Sequence, residues 1–429
     1  MSPLDPRNFP VQEHSLPNGL QIRLLADPSL PIASLYSFFR VGSRNEQPGI
    51  TGISHLFEHM MFNGSQKYGP KQFDSKLEAA GGTSNAYTST DITAYYEDFA
   101  AEALPLVLDL ESDRMASLVI DDESLSRERE VVKEERRFRT DNDIDGMLDE
   151  ALSALAFLAH PYRWPVVGWM TDLNRIARPD CERYFRTYYA PNNCTLVLVG
   201  DFQPQAALAE IERLYGKIPR GGPLPEVANG EPPQKGERRA VIRYPAQAPA
   251  ILAGFRGPDG QDPDSLILDL VEAALGFGEG ARLKRALVYE QELCVDAHIY
   301  FGWRIDPGLF EVSLKLNPGV DPARAEAALW AELARVSQDG IEERELQRAK
   351  NYVRAGLLRG LQTANGRAHT IGQMEVMLGS WRAFLDLADR YQAIDGEAIR
   401  RVARKVFAPH RRNVVTLLPG ELPADAAAA

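Results

Sequence analysis

Two histidines and a glutamate carry the clearest chemistry in the chain. They stand in the run His55-Leu56-Phe57-Glu58-His59-Met60-Met61-Phe62-Asn63-Gly64. Gly52 lies shortly before the run and Gly64 closes it, so the spacing predicts one helix of about twelve residues. Positions four apart share a helix face. His55 and His59 therefore present two imidazoles side by side, a spacing that suits one Zn²⁺ ion. Glu58 sits next to His59, where its carboxylate borders such a metal without having to bind it. The pattern is H-x-x-E-H, the inverted form of the zincin helix motif. A helix can carry two histidines for no chemical purpose, but the chain has only seven His, and two of them fall at ligand spacing around a Glu. The apolar flanks Leu56, Phe57, Met60, Met61 and Phe62 set this helix largely within a core.

A catalytic zinc takes three protein ligands and keeps one position open, so a third ligand is expected elsewhere. The stretch from Glu123 to Arg137, ESLSREREVVKEERR, has no Gly or Pro and reads as helix. At helical pitch, Leu125, Glu128, Val131, Val132 and Glu135 fall within about 120° of one another, while Glu123, Glu130 and Glu134 point the other way. An ionised Glu on an apolar stripe needs a cation or hydrogen-bond donors. Glu135 is assigned as third ligand and Glu128 as its support from behind. Geometry alone allows the two to be exchanged.

These residues resemble the pitrilysin/insulinase/mitochondrial-processing-peptidase family of zinc peptidases. The resemblance rests on His55-x-x-Glu58-His59, on Gly81-Gly82-Thr83-Ser84-Asn85-Ala86-Tyr87-Thr88-Ser89, and on Glu128-Arg129-Glu130-Val131-Val132-Lys133-Glu134-Glu135, in that order. It runs from Asn18-Gly19-Leu20 to Ala408-Pro409. It implies a zinc endopeptidase with one Zn²⁺ per chain, and substrates that are peptides or unfolded proteins. Glu58 would be the general base. Asn85, Ala86 and Tyr87 would lie on an edge strand to which an extended peptide adds by main-chain hydrogen bonds. The chain departs from the family in one place. Relatives that grip substrate with their second domain carry an Arg and, further on, a Tyr after a small-Gly-x-x-x-Arg-Leu stretch. Here Gly278, Arg282 and Leu283 are present, but Val288 and Val295 stand at the two later positions. The expected partner is therefore a homologous metal-free subunit that supplies the Arg/Tyr pair, the two chains enclosing the substrate chamber. The alternatives are an autonomous homodimeric oligopeptidase, and a non-catalytic structural subunit of the same fold.

The elements that must hold these residues read as α+β. Two homologous domains are expected, each an antiparallel sheet with helices packed on a face. Asn18-Gly19 between alternating apolar positions marks a hairpin, Ile32 to Arg40 a strand, and Asn85 to Phe99 one or two Thr/Tyr-rich strands. Residues 216–237 are rich in Pro and Gly and read as an extended linker. The expected boundaries are a metal-bearing domain over 1–215, the linker over 216–237, a homologous domain without metal over 238–420, and a disordered tail over 421–429. An internal repeat supports this division. Tyr189-Ala190-Pro191 precedes the strand Thr195 to Val199, and Phe407-Ala408-Pro409 precedes the strand Val414 to Leu418. The second copy has no H-x-x-E-H, and its His298, His369 and His410 are isolated, so structural or solvated roles are expected for them.

Composition sets the outer bounds. A chain of 429 residues with 44% hydrophobic content is too long for one compact core. A net charge of −12 argues against nucleic acid and anionic membrane as partners. Three scattered Cys form neither a disulfide framework nor a C-x-x-C pair. No apolar run is long enough to span a membrane. The first thirty residues show no basic stretch followed by an apolar one, so no signal peptide is expected. The expected compartment is the cytoplasm, or the periplasm for a chain whose leader has been removed.

Overall fold

A computed structural model describes residues 9–421 of the chain. The expected tail over 421–429 lies, but for its first residue, outside the described residues. Strands β1 (Gln12–Ser15) and β2 (Gln21–Ala26) form the hairpin read from Asn18-Gly19. Gly19 takes φ +96°, which a side chain would strain. Next come β3 (Ile32–Phe39), α1 (Ile53–Met60), α2 (Gln72–Ala79), β4 (Thr83–Thr88) and β5 (Thr93–Ala100). They are followed by α3 (Leu104–Ser117), α4 (Asp122–Arg136), α5 (Ile144–Ala156), α6 (Met170–Leu173), α7 (Arg178–Tyr188), β6 (Cys194–Gly200) and α8 (Pro204–Tyr215).

The second half of the sequence holds β7 (Arg238–Tyr244), β8 (Ala250–Arg256), α9 (Asp264–Gly276), β9 (Cys294–Phe301) and β10 (Leu309–Leu316). It ends with α10 (Pro322–Asp339), α11 (Glu343–Gly360), α12 (Ala364–Leu378), α13 (Leu387–Ala393), α14 (Gly396–Val406) and β11 (Arg412–Pro419).

Two sheets organise these elements. One runs β1-β2-β6-β3-β5-β4 and the other β7-β11-β8-β10-β9. Apart from the extra β1, the order is the same. Most pairs are antiparallel, but each sheet contains one parallel pair, β2 with β6 and β7 with β11. The sheets are thus mixed rather than purely antiparallel. The parallel pair follows from the layout: β6 and β11 close their sheets after a long helical excursion, which a parallel neighbour requires.

The compact units interleave along the chain, whereas the sequence expectation cut it once. Within the described residues, the first unit takes the chain up to Arg136, Trp164–Ala228 and Leu358–Asp386. The second takes Arg137–Arg163, Asn229–Leu357 and the chain from Leu387 on. Helix α5, expected in the first domain, packs Leu148 and Leu152 against Leu252, Val415 and Leu417 of the second sheet. Gly254 of β8 makes room for it, since a Cβ there would stand 2.9 Å from the Leu152 side chain. Helix α12, expected in the second domain, lies instead on β3 and β6 of the first sheet. Its Gly372 rests on the Phe38 ring, where a Cβ would overlap the ring. An apolar stripe shows that a helix is covered but not which sheet covers it.

Candidate metal centre

The metal-motif helix α1 is shorter than the expected run, because the chain leaves the helix in a turn after Met60. Ile53, Leu56, Phe57 and Met60 are fully buried in the first unit's core. His55, Glu58 and His59 occupy the remaining face and are half-buried. The two imidazole centroids lie 4.9 Å apart at 78°. Packing the apolar side of a two-turn helix thus aims the three polar residues the same way.

Helix α4 faces them. Leu125 and Val132 are buried, Glu128 and Glu135 are half-buried, and Glu123, Glu130 and Glu134 are exposed. Val131, expected on the apolar stripe, is 45% exposed. The Oε2 atom of Glu135 lies 3.5 Å from Nε2 of His55 and 3.4 Å from Nε2 of His59. One donor atom from each of His55, His59 and Glu135 falls within 4.8 Å of the others, and no other such group of three His, Cys, Asp or Glu occurs among the described residues. A tetrahedral zinc with bonds of about 2.0–2.2 Å holds its donors about 3.3 Å apart, so these separations fit that ion. The cluster has the capacity to bind a metal.

Glu128 lies on the other side of the His59 ring, its Oε2 3.8 Å from Nδ1, and Arg127 donates to its other oxygen. With a cation between Nε2 and Glu135, a carboxylate facing Nδ1 would favour the tautomer that carries its proton on Nδ1. Burial alone would lower the basicity of His59. The carboxylates of Glu135, Glu58 and Glu128 outweigh it and hold the ring above its ordinary value. The centre is therefore electronegative and suited to a cation.

Asn85, Ala86 and Tyr87 lie on β4, the edge strand of the first sheet, paired on its inner side with Tyr96, Tyr95 and Ala94. The Asn85 side chain accepts from the N–H of Ala86 at 2.8 Å. A hollow of about 370 Å³ adjoins the strand, with Phe62 and Leu77 as apolar lining and Asp74 and Glu78 as acidic lining. The sequence reading missed one contact here. His369 of α12, read as isolated, lies with Nε2 3.1 Å from the Tyr87 hydroxyl. Burial lowers its pKa and keeps it neutral. No short-range pattern could have shown this, because the two residues meet only through the packing of α12. In the second unit, Val288 lies in a π-helical turn and Val295 is 59% exposed on β9.

Comparison with known proteins now bears on this geometry. Residues 22–168 match the family described as Insulinase (Peptidase family M16), and residues 175–353 match the Peptidase M16 inactive domain. The chain belongs to peptidase family M16. That membership places it among enzymes that hydrolyse peptide bonds. Within M16, it is 28% identical to the zinc protease PqqE of Helicobacter pylori over 94% of this chain and 92% of that protein. The crystal structure of a protease from Helicobacter pylori matches with a TM-score of 0.92 at 27% identity, covering 96% of this chain and 100% of the other. A probable mitochondrial-processing peptidase subunit beta of Arabidopsis thaliana is 24% identical over 91% of this chain and 75% of its own length. Among the described residues, no helix is long and apolar enough to cross a membrane.

Proposed function

We propose that this M16 chain is a zinc-dependent endopeptidase. His55, His59 and Glu135 hold one Zn²⁺, Glu58 is the general base, and β4 receives the peptide. The observation that carries this reading is the convergence of three donor atoms from two helices within 4.8 Å of one another, the two histidine nitrogens 3.5 and 3.4 Å from Glu135, with the Glu58 charge acting on His59. When bound, the ion supplies Lewis acidity and lowers the pKa of a water it holds. Glu58 takes the proton of the attacking water and returns it to the leaving amine. Glu128 holds His59 in the tautomer that offers Nε2. The N–H and C=O groups of Asn85 to Tyr87 on the open side of β4 align the extended peptide.

The chain acts as the metal-bearing subunit of a complex. Val288 and Val295 stand where an Arg and a Tyr would donate to the substrate, and neither Val side chain has a polar hydrogen to give. Loss of oxyanion donors removes about 10²–10³ in rate. The isolated, zinc-loaded chain is expected to hold about one zinc and to cleave peptides poorly at every concentration. A related chain carrying the Arg/Tyr pair restores turnover without changing zinc content. Fast cleavage by the isolated chain, as monomer or homodimer, would reject the two-chain arrangement. An isolated chain that takes up no zinc would reject the metal site itself.

A further inference from the structure

The proposed metal site depends on where α1 begins, and two buried carboxylates fix that point. Helix α1 has only two turns, too short to be stable on its own. Its N-cap is Gly52, which has no side chain to cap the first N–H groups. Gly52 takes φ +88°, and a Cβ there would overlap the Val167 carbonyl, so a capping Ser or Asp has no room. The cap comes instead from upstream. Glu46, 4% exposed, accepts the Gly52 N–H on Oε2 and the Ser54 N–H on Oε1, each at 2.8 Å. Ser54 is the residue before His55. Its hydroxyl lies 2.6 Å from the buried Tyr184 hydroxyl.

Asp172 of α6 grips the intervening loop. Its Oδ2 accepts from the N–H of Gly49 at 3.0 Å, the N–H of Thr51 at 3.2 Å and the Thr51 hydroxyl at 2.7 Å. The Thr51 hydroxyl in turn accepts from the Trp169 N–H at 3.0 Å. Backbone donors at a helix N-terminus suit anions. Even so, burial pushes Glu46 up to about 8, with the nearby Asp172 adding to the rise. Two buried carboxylates held by backbone donors are an expensive way to shape a loop. The loop they shape leads directly into the first proposed metal ligand.

We infer that Glu46, acting with Asp172, is a positioning residue. It sets the start of α1 and so places His55 Nε2 opposite Glu135. This rests on the metal reading above. The test compares wild type with Glu46→Gln and Glu46→Ala in the full chain. Gln keeps the shape and one acceptor, and Ala removes both. Zinc affinity is measured by competition with a chromophoric chelator, and folding by thermal melts of the metal-free proteins. The expected result is zinc binding about tenfold weaker in Glu46→Gln and weaker still in Glu46→Ala, the range seen when support behind a ligand is lost. Glu46→Gln should melt close to wild type. Wild-type zinc affinity in Glu46→Gln would overturn the inference, as would a weakening in either variant that merely tracks its unfolded fraction. If the wild-type chain takes up no zinc, the metal reading fails and takes this inference with it. Normal uptake by the variants overturns this inference alone.

Discussion

The two units share a strand order and differ at one junction. In the first, α1 meets α4 through His55, His59 and Glu135, three donors around a point that suits a cation. In the second, α9 and α11 hold the corresponding places in the order of elements. There Arg282 pairs with Glu345, its Nε 3.0 Å from Oε1, and Arg348 donates to the carbonyls of Ala274, at 2.8 Å, and Gly280. Glu345 also accepts the Glu342 N–H at the start of α11. Both junctions bring a carboxylate on the later helix to a positive partner. In the second unit that partner is a guanidinium, permanently charged and built into the chain. It can hold helices together but has no open coordination position. The difference teaches that the frame asks only for charge across this junction. On the proposed zinc reading, chemistry is added where two imidazoles leave the positive partner to be recruited.

The sharpest break in this comparison is His59→Ala. It should abolish stoichiometric zinc binding by metal analysis, while Arg282→Met in the second unit should leave zinc untouched. Glu134→Ala, on the exposed face of α4, is the control and should also keep its zinc. Zinc retained by His59→Ala, or lost by Glu134→Ala, would move the site to other residues. Glu58→Gln probes the chemistry apart from the metal. It should keep zinc and lose at least about 10²-fold in turnover of the active complex, the contribution of a positioned base. Unchanged turnover would remove Glu58 from that role.

Much of the fold was legible because its signals are local. Alternation gave the strands, Asn18-Gly19 gave a hairpin, and a Tyr-Ala-Pro or Phe-Ala-Pro step before a buried strand disclosed the repeat. The H-x-x-E-H spacing reads directly on one helix, and helical phase separated Glu128 and Glu135 from their exposed neighbours. Residues whose meaning depends on remote packing were not legible. Helices α5 and α12 each cover the sheet of the other half of the sequence, and only Gly254 and Gly372, small where the helix must approach, hint at it. His369 reads as isolated because Tyr87 is far away in sequence. Glu46 reads as a loop carboxylate until the fold brings Gly52 and Ser54 to it.

Arg282→Met tests the second junction itself. Removing one partner of a buried pair leaves the other charge uncompensated, and costs about 3–5 kcal/mol. The second unit should therefore unfold at lower urea, with Glu345 left without its guanidinium. If Arg282→Met with Glu345→Leu recovers most of that loss, the pair holds the junction by charge balance alone, as the comparison requires. A single variant as stable as wild type would show that the guanidinium does not hold the junction at all.

The smallest effect concerns the helix that stands where α1 stands. Helix α9 carries Asp269 and Glu272 in the second unit's interior. Glu272 accepts the Phe301 N–H at 3.1 Å, and Asp269 accepts from Trp303 Nε1 at 3.1 Å and from the Tyr391 hydroxyl at 2.5 Å. Burial raises Glu272 to about 8, and Asp269 nearby adds to the shift. Burial likewise raises Asp269 to about 7. A carboxyl raised in the fold binds its proton more tightly there than in the unfolded chain. Its contribution to stability is full below the ordinary carboxylate range and is lost as pH rises toward 8. Glu272→Gln keeps a neutral group of the same shape at every pH. The variant's melting advantage over wild type should grow as pH rises from 5 to 8.5, by a few degrees for each kcal/mol relieved, about 2–4 °C in a unit of this size. Parallel melting curves across that range would mean that Glu272 is charged in the fold. The buried carboxylates of α9 would then need a cation, as the imidazole face of α1 does, and the contrast between the two junctions would narrow.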